Sequence, residues 1–196
     1  MKRIEALKKA EEISKIVKNN AHLLRECNYD DDGWHFNSGK KMKIFEVILF
    51  GSTTRKCDNE IVDDIDLLII DNGVYSAECA LSENDDSVDF YHCLSDNFSN
   101  FAERITENHA DAVADYSYED FLNLIYWTDV DMHVLPLKFF RNKKFREEVK
   151  ARHHDLDFFK NVFATAMRWR MEKQFVPVDV SYFERKYKVR LQDLKK

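Results

Sequence analysis

Apolar residues recur at Ile4, Leu7, Ala10, Ile13, Val17, Ala21 and Leu24, with mostly Lys and Glu between them. That spacing predicts an amphipathic helix that covers one face of a sheet. The segment 27–41 is polar, carries Asp30, Asp31, Asp32 and Gly33, and reads as a loop. Residues 43–50 (KIFEVILF) are β-branched and aromatic, too short for a helix, and end at Gly51 and Ser52. They predict a strand. Residues 64–70 (DIDLLII) predict a second strand, closed by the turn signal Asp71, Asn72, Gly73. Helical periodicity returns over 98–114 and 118–125, and residues 129–135 (DVDMHVL) predict a third strand ended by Pro136.

After Pro136 the pattern predicts helices over 139–149 and 156–171, the latter with Phe159, Val162, Phe163, Ala166 and Trp169 on one face. Ser181 and Glu184 have the spacing of a capping box opening a last basic helix. The order of elements predicts a mixed sheet with helices packed on it.

The alternation of a strand puts Asp64 and Asp66 on one face, about 6–7 Å apart along the chain. Ile65 and Leu67 then point into the core. Two such carboxylates repel each other, and a divalent cation relieves that repulsion; oxygen ligands suit Mg²⁺ or Mn²⁺. Asp131 stands on another predicted strand, and if the two strands are neighbours three carboxylates converge. Asp129, two residues earlier on the same predicted face, is the alternative third carboxylate. Gly51 lets the backbone approach a ligand closely. A short helix starting there offers free N–H groups to phosphate oxygens, with the Ser52 hydroxyl as a further donor. Arg55, one turn on, has the planar fork to reach a phosphate. These parts together point to in-line phosphoryl or nucleotidyl transfer.

Gly51 and Ser52, eleven residues, then Asp64, Ile65 and Asp66 resemble the signature of the DNA polymerase β-like nucleotidyltransferases. Asp131, within Val130, Asp131, Met132, His133 and Val134, matches the third aspartate of that pattern. The resemblance covers residues 44–135. It implies the α/β (α+β) nucleotidyltransferase fold, a mixed β-sheet flanked by helices. Residues 1–136 would be the nucleotidyltransferase domain with its N-terminal helix, and 137–196 a helical C-terminal extension packed on it. It implies Mg²⁺ or Mn²⁺ bound by Asp64, Asp66 and Asp131. It further implies an NTP, ATP by default, held through Gly51, Ser52 and Arg55, and transfer of an NMP group to a hydroxyl. Members of this size are often toxin–antitoxin components that modify a partner protein or tRNA. The alternative is a catalytically weak module of the same fold that binds a nucleotide or a partner, as an antitoxin does.

Charge bears on the acceptor. The net charge is −6, yet beyond residue 137 Lys and Arg outnumber Asp and Glu roughly two to one. A basic segment of this kind favours a macromolecular acceptor, a protein side chain or an RNA end, over a small molecule. No apolar run approaches the ~20 residues of a membrane span. The four cysteines form no CxxC pair, and no signal-peptide pattern stands at Met1. The expectation is a cytoplasmic protein that does not engage the membrane.

Overall fold

A computed structural model describes residues 1–23, 28–30, 33–35, 40–74, 95–97, 129–152, 159–160, 162–163, 168–179 and 181–195. The helices expected over 98–114 and 118–125 lie outside these residues.

The frame is a mixed sheet built on the two apolar runs. Strands β3 (Ile44–Phe50) and β4 (Ile65–Asp71) pair antiparallel, and β4 pairs in parallel with β6 (Val130–Pro136). A short β5 (Ser95–Asn97) flanks β6. On the other side, β7 (Arg168–Met171) pairs with β3, and β8 (Phe175–Val178) closes the sheet. The six strands run in the order β5-β6-β4-β3-β7-β8. Apart from them, β1 (Asn28–Asp30) and β2 (Gly33–His35) form a two-stranded hairpin where the pattern predicts a loop.

β3, β4 and β6 are mainly apolar, without strict alternation, because both faces of the sheet are covered. Helix α1 (Arg3–Asn20) lies on one face. Its Ala6, Ala10, Ile13 and Val17 pack with Val47, Leu49, Leu67, Ile69 and Val134. Small residues at 6 and 10 allow close approach to the sheet. Ala10, Ile13, Val17 and Ala21 of the predicted stripe are buried, but its first turn differs, since Ile4 is 41% exposed while Arg3 is buried.

The other face carries Ile48, Phe50, Leu68, Ile70 and Leu135, packed with Phe139, Phe140, Phe159, Phe163 and Phe183. These aromatics come from α2 (Leu137–Arg141), residues 159–163, and α4 (Tyr182–Tyr187), while α3 (Lys143–Arg152) and α5 (Leu191–Lys195) add Val149 and Leu194. Phe140 stacks on Phe183 with centroids 5.8 Å apart, and Phe163 meets Phe183 edge-on at 5.1 Å. Such pairs add directional preference to the burial of their area. Glu46, buried in β3, accepts from the Tyr182 hydroxyl (2.6 Å) and is ion-paired with Lys186, which ties α4 to the sheet.

Three expectations for the C-terminal third are corrected. The segment after Pro136 is not wholly helical, because β7 and β8 extend the main sheet. The helix expected over 156–171 cannot include its last turn, since Arg168–Met171 is a strand with Ile48 opposite Arg170. Nor does the capping box form. The Ser181 hydroxyl donates to Asp179 (3.0 Å), and Glu184 accepts from the Leu191 amide (2.6 Å) across the break at Lys188, where φ is 56°. Among the described residues no helix is long and apolar enough to cross a membrane.

Candidate functional site

Strand register assembles the site. In the antiparallel pair Phe50 stands opposite Asp66, so the end of β3 and the start of β4 share one edge of the sheet. In the parallel pair Asp66 stands beside Asp131. Neighbouring strands are about 4.8 Å apart, so residues in register present side chains to one face at that spacing. Asp64 precedes β4 and shares that side by alternation. The three aspartates each bring a carboxylate oxygen within 4.8 Å of the other two.

The turn after β3 faces them. Gly51 adopts φ 70°, ψ −152°, and a Cβ there would overlap the Asp66 carboxylate. Glycine is therefore required twice over, by conformation and by contact. A 3-10 turn, Ser52–Thr54, follows. The Thr54 hydroxyl donates to the Gly51 carbonyl (2.9 Å), and the Arg55 amide to the Ser52 carbonyl (3.1 Å). The Thr53 hydroxyl reaches the Asp64 carbonyl (3.3 Å), joining the turn to the first aspartate. The Ser52 amide donates to Asp66. Its side-chain Oγ is buried and has no hydrogen-bond partner among the described residues. A buried hydroxyl without a partner is unfavourable, and phosphate oxygens would satisfy it.

The electrostatics suit a cation. Burial, then Asp64 and Asp131, push the Asp66 carboxyl up to about 7, against the opposing pull of Arg55 and the Ser52 amide. The Asp131 carboxyl is also held above its ordinary value, first by partial burial and then by Asp64. Repulsion among the carboxylates is what a divalent ion relieves, and the donor set is all oxygen. The residues present thus fit Mg²⁺ or Mn²⁺.

Comparison of the chain with protein-family models, with curated proteins and with solved structures returns no match. The site therefore rests on its own geometry. That geometry brings together Asp64, Asp66, Asp131, Gly51 and Ser52. It separates Asp129 from them: Asp129 forms an ion pair with Lys9 of α1 (2.5 Å), and its carbonyl accepts from the Ile65 amide (2.9 Å). Arg55 is exposed beside the cluster, near enough to act on Asp66. His133 lies one alternation beyond Asp131, its ring 5.8 Å from that of Phe50. Tyr126 and Trp127, shortly before β6 in sequence, fall outside the described residues.

Three supporting residues carry no signal in the sequence. Thr53 reads as turn filler, and Arg3 and Lys9 read as the polar face of a helix. Yet Arg3 donates to the Thr53 carbonyl (3.0 Å), and Lys9 anchors the entry to β6. Their partners lie 50 and 120 residues away in sequence, beyond the reach of any local pattern.

Proposed function

We propose that the chain is a metal-dependent nucleotidyltransferase of the polymerase β-like fold. It transfers an NMP group from an NTP to a hydroxyl on a protein or an RNA end. One observation carries the reading: three clustered carboxylates face a glycine turn whose buried Ser52 hydroxyl lacks a partner among the described residues.

Asp64, Asp66 and Asp131 would hold Mg²⁺ or Mn²⁺. Such an ion, when bound, supplies neutralisation of phosphate charge and polarisation of the phosphoryl oxygens. The remaining chemistry belongs to the chain. The Ser52 hydroxyl donates to the triphosphate, which the Gly51 turn allows to come close. Arg55 offers its fork from the open side. Asp131, at the exposed end of the cluster, orients the acceptor hydroxyl and takes its proton. The acceptor oxygen bonds to the α-phosphorus, the bridge to the β-phosphate breaks, and pyrophosphate leaves. Positioning and fixed charge provide most of the acceleration. The excess of Lys and Arg beyond residue 137 supports a macromolecular acceptor.

The test is incubation with each α-³²P-labelled NTP, Mg²⁺ or Mn²⁺, and cell lysate, beside an Asp64→Ala, Asp66→Ala double variant. Label on a protein or RNA band with the wild type alone is the expected result. Absence of label with every NTP, in a wild type that still binds NTP, would replace transfer with binding.

A further inference from the structure

Beyond the residues of the site itself, one buried side chain links the phosphate turn to the loop before Asp64 and to β7. Arg3, at the start of α1, is 8% exposed. Its Nε donates to the Thr53 carbonyl (3.0 Å) inside the turn. Its Nη1 pairs with Asp58 (2.5 Å) in the loop between the turn and Asp64. Its guanidinium lies over the Trp169 ring, 4.7 Å from the centroid, on the α1 face of β7. The backbone around it is bound to the same loop. The Arg3 amide donates to the Glu60 carbonyl (2.9 Å), the Ile4 amide to Asp58 (3.3 Å), and Lys2 bridges Ile61.

We infer that Arg3 is a positioning residue that fixes the phosphate turn and Asp64 relative to each other. The inference rests on the nucleotidyltransferase reading for its consequence, though not for its geometry. Thr53 is the link: its carbonyl accepts from Arg3 while its hydroxyl donates to the Asp64 carbonyl. Displacement of Thr53 therefore moves Ser52 on one side and Asp64 on the other. Only a planar guanidinium serves all three partners at once. It donates in one direction to a carbonyl, in another to a carboxylate, and stacks its face on an indole. A lysine ammonium has donors enough, but no planar face to stack on the indole while fixed donors point to the carbonyl and the carboxylate. The residues that orient ligands typically matter by 10- to 100-fold in affinity.

Two measurements on the whole protein test this, with Arg168 as the control. Arg168 is a second buried arginine that donates to a carbonyl, that of Val162 (2.6 Å), away from the turn. The variants are Arg3→Met, Arg3→Lys, the milder Asp58→Asn, and Arg168→Met. The first measurement is amide exchange of the metal-free protein over residues 51–64. It should quicken roughly ten-fold in Arg3→Met, less in Arg3→Lys and Asp58→Asn, and stay unchanged in Arg168→Met. The second is Mn²⁺ affinity by calorimetry, which should fall by roughly ten-fold in Arg3→Met and hold in Arg168→Met. Unchanged exchange in Arg3→Met would overturn the inference. So would faster exchange with unaltered Mn²⁺ affinity, which would make Arg3 merely structural, or equal losses in Arg168→Met. A wild type that binds no Mn²⁺ would sink the metal-site reading, and the inferred consequence of Arg3 with it, while the exchange result still judged the linkage. Mn²⁺ binding without nucleotidyl transfer would remove the reaction alone and, with the expected exchange, support the placement of Arg3.

Discussion

Replacing Asp66 by Asn removes one negative charge from the crowded end of β4 while keeping the size of the side chain and an oxygen to accept from the Ser52 amide. The effect on folding follows from the proton balance. The folded, metal-free protein holds the Asp66 carboxyl at about 7, against 3.8 for an ordinary aspartate. Between these values the folded state binds more protons than the unfolded state, so stability falls as pH rises through the window. Above about 7 the whole penalty is present; below about 4 it is absent. A difference of roughly 3 in pKa corresponds to at most about 4 kcal/mol, at 1.36 kcal/mol each. Asp66 is partly open to solvent, and screening reduces the figure to on the order of 2 kcal/mol. In EDTA at pH 8, Asp66→Asn should therefore be more stable than the wild type by about 2 kcal/mol in urea unfolding. The gap should close as the pH approaches 4. With Mn²⁺ in excess the ranking should invert, because at 100 times Kd a bound ion adds about 2.7 kcal/mol to the wild type alone. An Asp66→Asn protein less stable than the wild type in EDTA at pH 8 would refute the reasoning. It would mean that the carboxylate holds the fold together rather than straining it.

Other substitutions separate the parts of the site. Ser52→Ala removes a buried hydroxyl that has no partner among the described residues; folding stability should hold or rise slightly, while NTP affinity by calorimetry falls by roughly ten-fold, about 1.4 kcal/mol for the lost donor. Asp131→Asn should abolish Mn²⁺ binding. Asp129→Asn should retain it and lower stability by under about 1 kcal/mol, since it breaks only the half-exposed pair with Lys9. Phe163→Ala opens the aromatic cluster against Phe139, Phe140 and Phe183 and should lower unfolding free energy by about 3–5 kcal/mol in urea titration.

The parts of the fold that were legible are those whose burial is continuous. Residues 43–50 and 64–70 read as strands; the first exceeds β3 by one residue at its start and the second is offset from β4 by one residue at both ends, a close match because both faces of those strands are covered and a glycine turn follows each. β7 was not legible. Its Arg168 is 1% exposed and its Trp169 packs on the α1 side, so the segment lacks apolar alternation and continues the helical spacing of Phe159, Val162 and Phe163. β1 and β2 are too short, and too rich in Asp and Gly, to stand out from a loop. The stripe of α1 departs from the pattern in its first turn, because Ala6, which is buried, carries little hydrophobic weight, whereas Ile4, which carries much, faces solvent. At the site, the residue types and spacing of Gly51, Ser52, Asp64 and Asp66 were readable along the chain. The choice between Asp129 and Asp131 was not. It depends on the parallel register that puts Asp66 beside Asp131 and on a lysine in α1 that engages Asp129.

The most direct test is a crystal structure of the protein with Mn²⁺ and an NTP analogue that resists cleavage between the α- and β-phosphates. The account predicts an anomalous Mn²⁺ peak bounded by the carboxylates of Asp64, Asp66 and Asp131, with phosphate oxygens in reach of the Ser52 hydroxyl. Mn²⁺ bound away from these aspartates, or a triphosphate seated elsewhere than the Gly51 turn, would contradict it.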